Sequence, residues 1–278
     1  MNREDSLKNI LNPVWIAGRI WRYRELIRQL TWREVIMRYK GSFIGLGWAF
    51  IQPLLMLAVY TFVFSVVFKA RWGVQSGETR ITFALTLFMG IITFNLFAEM
   101  LTAAPNLILS RVNLVKKIVF PLDVLPLVHF LSVVINSLFS LFVLLAGILL
   151  VYGALHWTAL LLPLVWLPMW MLSLGCGYFL ASLGVFVRDF NAVVRVITTM
   201  FFFLTPIFYP ISAVPPRLQV IIKCNPIAIF VENARRVVVW GLIPEWWWLL
   251  GGGLFSLIIL ICGYIWFMKS KKAFGDVI

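Results

Sequence analysis

The sequence predicts an all-α polytopic membrane protein, and three observations carry that reading. Hydrophobic residues make up 62% of the 278 and charged residues only 13%, too little polar material to coat a soluble domain. Six apolar stretches run at about 43–68, 81–101, 124–151, 160–187, 193–208 and 247–267, and about 20 mostly apolar residues suffice for a helix to cross a bilayer. The net charge of +13 is unevenly placed: nine Lys/Arg precede residue 44, and Lys269, Lys271 and Lys272 follow the last stretch.

Positive charge marks the cytoplasmic side of a membrane protein. Both termini are therefore expected inside, with the connections after the second and fourth spans. Those connections carry Arg111, Lys116, Lys117, Arg188 and Arg195, which leaves the other seven of the 24 Lys/Arg outside. The basic balance reads as topology plus attraction to anionic headgroups. No basic stripe interleaves with stacking aromatics on a soluble domain, so nucleic acid is excluded as a partner. The first span is expected to serve as signal anchor behind a basic segment. Cys176 and Cys262 fall within spans and Cys224 in the last outer segment, all three expected reduced. His129 and His156 stand too far apart for a metal site.

Residues 1–42 read as cytoplasmic interfacial helices. Trp15, Ile16, Ile20, Tyr23, Ile27 and Leu30 recur at helical spacing with Arg19, Arg22, Arg24 and Arg28 between them. That pattern suits a helix lying in the headgroup plane or one packed on a soluble partner. Thr31-Trp32-Arg33-Glu34 fits a capping box opening a second helix, with Leu30 and Val35 as its staple, and Gly41-Ser42 should end it. Gly41, Gly45 and Gly47 open the first span, and Ser173, Gly177 and Ala181 recur in the fourth; small residues so spaced are expected to form packing faces. Pro53, Pro163 and Pro168 are expected to kink their helices. The basic connection from Ala103 to Lys117 is long enough for a short helix across the membrane face. The outer segment 209–245 holds Pro210, Pro215, Pro216, Pro226 and Pro244, with apolar pieces too short to cross. Two readings stand for it: a re-entrant hairpin forming an outer gate, or an amphipathic loop resting on the outer leaflet. Residues 269–278 form a cytoplasmic tail.

The chemistry of the residues excludes several classes. The chain has no Gly-Lys dipeptide, hence no Walker A phosphate loop and no ATPase site of its own. Glu99 is the one candidate intramembrane carboxylate, expected to pair with an Arg or cap the next segment. A proton relay needs a chain of such groups. Phe201, Phe202, Phe203, Phe208 and Tyr209, with Tyr60 and Phe64 on the first span, form a dense aromatic cluster. As a pore face it would offer flat surfaces to the C–H faces of sugar rings. Lipid or core packing is the competing role.

Local strings then match a known family. Arg38-Tyr39-Lys40-Gly41-Ser42-Phe43-Ile44-Gly45-Leu46-Gly47-Trp48 followed by Pro53 resembles the start of the permease subunit of polysaccharide-exporting type 2 ABC transporters. Asn113-Leu114-Val115-Lys116-Lys117, then Phe120-Pro121 and Pro126, is similar to their coupling segment. Arg188-Asp189, Thr205-Pro206-Ile207-Phe208-Tyr209-Pro210, Val214-Pro215, Asn225-Pro226 and Arg235 resemble their last third. The ordered set covers nearly the whole chain.

The resemblance implies six transmembrane helices, an N-terminal interface helix and two short outer gate helices between the fifth and sixth. It implies a homodimer enclosing one pore, lined by the first and fifth spans, with two copies of a separate cytoplasmic ABC ATPase docked below. That ATPase would hold ATP and magnesium; this chain would carry no cofactor, no metal and no catalytic residue. The substrate would be a polysaccharide on undecaprenyl phosphate or diphosphate, O-antigen first and teichoic acid next, exported across the bacterial inner membrane. Arg33, Arg38 and Lys40 would attract the lipid phosphate. Arg111, Asn113, Lys116, Lys117, Arg188 and Asp189 would couple to the ATPase. Pro215, Asn225, Pro226, Glu232 and Arg235 would form the outer gate. Rival readings are a type 2 exporter of a drug or lipid, a membrane enzyme acting on polyprenyl phosphates, and a proton-coupled carrier.

Overall fold

The computed structural model describes residues 12–63, 80–112, 120–187 and 189–277. Among these the fold is entirely helical: α1 (Pro13–Arg22), α2 (Arg24–Tyr39), α3 (Trp48–Tyr60), α4 (Arg80–Ala103), α5 (Val124–Tyr152), α6 (Leu162–Phe186), α7 (Phe190–Leu204), α8 (Pro216–Lys223), α9 (Pro226–Val238), α10 (Trp246–Ser270) and α11 (Phe274–Val277). Five segments are long and apolar enough to cross a membrane: Gly45–Val63, Ile81–Asn106, Val124–Tyr152, Trp157–Phe186 and Trp246–Val277. The predicted stretch 193–208 differs. It forms the 15-residue α7 and stops at Leu204, because Pro206 forces the preceding residue out of helical geometry. At 1.5 Å per residue α7 reaches only about 22 Å, short of the roughly 30 Å hydrocarbon layer.

α4 is the centre of the body. It packs against α5, α6, α7 and α9, and 78% of its span is buried against 6% for α3. Phe83, Leu87, Phe94 and Leu96 lie in its main apolar cluster, joined by Val165, Trp166 and Met169 of α6 and Phe230, Val231 and Val238 of α9. α6 and α10 run together along most of their length. Their contact is made by glycine: a Cβ on Gly263 would stand 2.1 Å from the Gly175 carbonyl oxygen, and one on Gly175 2.6 Å from the Leu260 backbone. Lipid tails are as apolar as leucine, so close backbone approach and dispersion must hold such a pair.

Several local expectations are corrected. α2 runs unbroken from Arg24, so Thr31 is not a cap; it is buried mid-helix, and its hydroxyl has no partner. Glu34 is drawn away to Arg111 and His129 instead. Gly41 and Gly45 are not packing residues. They take φ of +93° and +56° in the turn leading to α3, and a Cβ on either would meet nothing within 4 Å. That left-handed geometry is what glycine supplies without strain. Ser42 braces the turn, its hydroxyl donating to the Tyr39 carbonyl and accepting from Gly45 N–H, both at 3.0 Å. The fourth-span face holds: Ser173 and Ala181 are fully buried, and a Cβ on Gly177 would strike Met100. Pro163 does not kink a helix, because it sits in the first turn of α6, where no N–H is needed. Pro53 and Pro168 lie inside α3 and α6 as expected.

The apolar face of the N-terminal helices turns partly onto the protein. Ile27 is buried against Val124 and Val128 of α5, whereas Trp21 and Trp32 remain exposed. Cys176, Cys224 and Cys262 are free thiols.

Candidate functional site

Polar side chains fix one end of α1 and α2 to the body. Arg19 grips Asp123 with two 2.8 Å bonds, from Nε and Nη2 to the two carboxylate oxygens. Such a fork is both stronger and more directional than a single bond. The Asp123 carbonyl in turn accepts from Tyr178 Oη of α6 at 3.0 Å. Farther along α2, Glu34 Oε2 accepts from Arg111 Nη2 at 2.8 Å, and Glu34 Oε1 meets His129 Nδ1. Arg38 pairs with Glu99 of α4, and Tyr39 Oη donates to Asn136 Oδ1 of α5. Arg111 lies in the short turn Leu109–Arg111 that follows α4, so this cluster links α2 to that turn and to two central helices.

Burial alone would push the Glu34 carboxyl up, but the hydrogen bond and charge of His129, then those of Arg111, outweigh it and bring it down to about 2 from 4.5. A carboxylate held low in the folded state stabilises it fully above its unfolded value, and that contribution fades as the pH falls through the folded value. The window is therefore 4.5 down to about 2. Wild type should melt higher than Glu34→Gln at neutral pH, and the gap should close through that acid range. Thermal unfolding in detergent across pH checks this; a gap that does not vary with pH would refute it.

Beyond this cluster lies a cavity of about 460 Å³ between α3, α4 and α5. Three ladders of four-residue spacing open into it: Gln52, Met56 and Tyr60 on α3, Asn95 and Glu99 on α4, Asn136 and Ser140 on α5. Residues four apart share one helix face, so each ladder presents a polar edge inside an apolar span. A recess of about 50 Å³ continues between α4 and α5 past Asn95, Asn136, Ser137 and Ser140. Arg38 and Glu99 close one end, and Phe88, Ile91 and Ile92 supply an apolar wall. Sequence reasoning passed over Gln52, Asn95, Asn136 and Ser140. Their spacing within apolar runs is the signal that identifies them.

The aromatic cluster divides. Phe202 meets Phe94 at a tilt and Phe203 and Phe208 edge to face, with centroids 5.2, 5.6 and 5.0 Å apart. Phe201 meets Phe97 at 6.1 Å and lines a second, apolar cavity of about 590 Å³ with Cys176, Phe179 and Trp266. Phe203 is 64% exposed. Tyr209 Oη donates to the Phe203 carbonyl at 3.0 Å, and Tyr60, packed against the same core cluster as Phe201, Phe202 and Phe208, lines the polar cavity. The structure thus joins the α7 aromatics directly with Phe208 and Tyr209.

The second helix of the 209–245 segment is not superficial. Asn225 caps α9, accepting from Ile227 N–H at 3.0 Å, and Pro226 occupies its first turn. Ile227, Phe230, Val231, Ala234, Val237 and Val238 are buried. Arg235 is fully buried and donates to three carbonyls: Thr86 at 3.0 Å, Pro206 at 2.7 Å and Ile207 at 2.8 Å. Glu232 lies 3.5 Å from its guanidinium. Helix breaks such as Thr205–Ile207 leave carbonyls that lipid cannot satisfy; Arg235 satisfies two of them. Gly90 makes room, since a Cβ there would stand 2.3 Å from Arg235 Nη2. α8, begun by Pro215 and Pro216, is short and largely exposed.

Of the remaining predicted site residues, Arg33 and Lys40 are exposed near the end of α2, and Asp189 flanks the start of α7. Phe64, Asn113, Lys116, Lys117 and Arg188 lie outside the described residues.

Comparison with known proteins completes the site. Residues 25–239 match the family model of the ABC-2 type transporter. The chain is similar to the O-antigen export system permease protein RfbA of Myxococcus xanthus, 28% identical over 270 residues, covering 95% of this chain and 99% of that one. A Klebsiella pneumoniae protein of the same description is 26% identical over 258 residues, covering 91% and 95%. The polysialic acid transport protein KpsM of Escherichia coli is 23% identical over 250 residues, covering 89% and 94%. The matched stretch runs from α2 through α9 and so takes in the pinned α2, the polar cavity and the buried Arg235: this chain belongs to the ABC-2 type transporter family.

Proposed function

We propose that this chain is the transmembrane subunit of an exporter that moves a lipid-linked polysaccharide across the bacterial cytoplasmic membrane. The observation that carries the reading is end-to-end likeness to two export permease proteins and one transport protein whose names specify two different polysaccharides. O-antigen is the first candidate polymer and teichoic acid the next.

Two copies enclose the pore, and two copies of a separate ABC ATPase supply the drive, with ATP and magnesium bound in that partner. The uncovered flanks of α3 support the dimer: only 6% of its span is buried within one copy. The chain crosses six times with both termini cytoplasmic, α7 making its crossing with the non-helical 205–209 segment. α8 and α9 form a re-entrant outer gate, a reading supported by the burial of α9, since irregular backbone at membrane depth requires protein or water around it. Phe201, Phe202, Phe203, Phe208 and Tyr209 form one aromatic face of the path, and Tyr60 and Phe64 of the first span form another. Arg33 and Lys40 draw in the lipid phosphate, beside an Arg38 already balanced by Glu99. ATP-driven motion enters through Arg111, Asn113, Lys116 and Lys117, with Arg188 and Asp189, and passes along the Glu34 ion pair into α2.

The test is reconstitution with a partner ABC ATPase from the same cell, in vesicles carrying radiolabelled lipid-linked polymer. Polymer should cross only with ATP and a hydrolysis-competent partner. Movement that persists without the ATPase, or transport of a drug panel with none of the polymer, would overturn the proposal.

A further inference from the structure

The cavity between α3, α4 and α5 has a composition that selects its ligand. Its strongest cation, Arg38, is already paired with Glu99, so the pocket offers no uncompensated charge to a phosphate. The rest of its polar surface is neutral: the amides of Gln52, Asn95 and Asn136 and the hydroxyls of Tyr39, Ser140 and Tyr60, the Asn136 oxygen accepting from Tyr39 and its amide nitrogen left to donate. Amides and hydroxyls each donate and accept, which is the pattern of a sugar hydroxyl and unlike that of an anion or a cation. An apolar wall faces these groups, suited to the C–H face of a pyranose ring. The volume, about 460 Å³, falls in the range of about 300–1,000 Å³ common for small-molecule sites. Polar groups inside a membrane span are costly unless satisfied and tend to mark substrate paths.

We infer that this cavity is a saccharide subsite, holding one or two neutral sugar units of the polymer beside α3. The inference rests on the polysaccharide reading and adds to it a place where sugar is bound by hydrogen bonds, separate from the aromatic face of α7. Glu99 and Arg38 act as a fixed neutral floor, with Asn95 and Asn136 gripping hydroxyls from opposite helices.

Binding is measured without transport, so that the two proposals fail separately. The full chain is placed in nanodiscs and mixed with the water-soluble oligosaccharide released by mild acid from the cell's own lipid-linked polymer. Saturation-transfer NMR should show magnetisation passing to the ring protons. Asn95→Leu and Asn136→Leu, each near the native volume, should weaken binding about five-fold apiece through loss of one hydrogen bond, while Gly251→Leu on the α10 surface should leave it unchanged. As a second readout that needs no disruptive change, Ser140→Cys should react with a water-soluble methanethiosulfonate above the background of native Cys176, Cys224 and Cys262. The oligosaccharide, and not inorganic diphosphate, should slow that reaction. No transfer in wild type, undiminished transfer in both leucine variants, an unreactive Cys at 140, or protection by diphosphate alone would each overturn the inference.

Discussion

Replacing Arg235 with methionine is expected to destabilise the folded chain by about 3–5 kcal/mol, the range for breaking a buried, hydrogen-bonded charge. The substitution keeps much of the side-chain volume, so the loss falls on polar groups. It strands the carbonyls of Pro206 and Ile207, takes from the Thr86 carbonyl the bond it makes beyond its helix, and leaves Glu232 without its counter-charge. Arg235→Lys should be intermediate, because a compact ammonium cannot spread three bonds over the plane that a guanidinium spans. Gly90→Ala should move in the same direction by driving a methyl into Nη2. Thermal unfolding of the purified chain in nanodiscs, with protease sensitivity of the 205–225 segment alongside, reads the effect. A methionine variant that melts with wild type would mean that the three carbonyl bonds do not hold α9 in place.

Gly263→Leu and Gly175→Leu are expected to part α6 from α10. Overpacking of a closed contact costs about 1–3 kcal/mol when neighbouring side chains can yield. Here the obstacle is backbone: the Gly175 carbonyl at 2.1 Å and Leu260 at 2.6 Å from the added carbons, so each variant should reach the upper end of that range or beyond. Gly251→Leu on the same helix, with nothing within 4 Å of its Cβ, should melt like wild type. Both helices are apolar all round, and the membrane supplies no hydrophobic push between them. Separation therefore forfeits dispersion contacts that nothing replaces. Equal melting of Gly263→Leu and Gly251→Leu would place the stability of this pair elsewhere.

Much of the architecture was legible because lipid imposes one rule on sequence: apolar residues in runs of about 20, with the backbone satisfied inside each run. Hence the five long spans fall where composition put them. The stretch ending at 208 was legible as apolar but not as short, since its length is cut by Pro206 and the non-helical residues that follow. The Thr31 motif misled because a capping box is a statement about a helix end, and α2 has no end there. Tertiary partners overrode it by offering Glu34 an arginine and a histidine from distant helices. Glu99 was expected either to pair with an arginine or to cap the next segment; the fold decided for the arginine and made it Arg38.

The sequence by itself determined the class, the spans and the family-specific strings, because bilayer thickness, charge asymmetry and local turn chemistry are each written within a few dozen residues. Only the tertiary structure decided which polar groups meet. Gln52, Asn95 and Asn136 are each an unremarked amide in an apolar run, and Arg235 is one of four cations, with Arg217, Lys223 and Arg236, in the 209–245 segment. Their environments depend on helix rotation and on neighbours tens of residues away, and those follow from packing that no single stretch encodes.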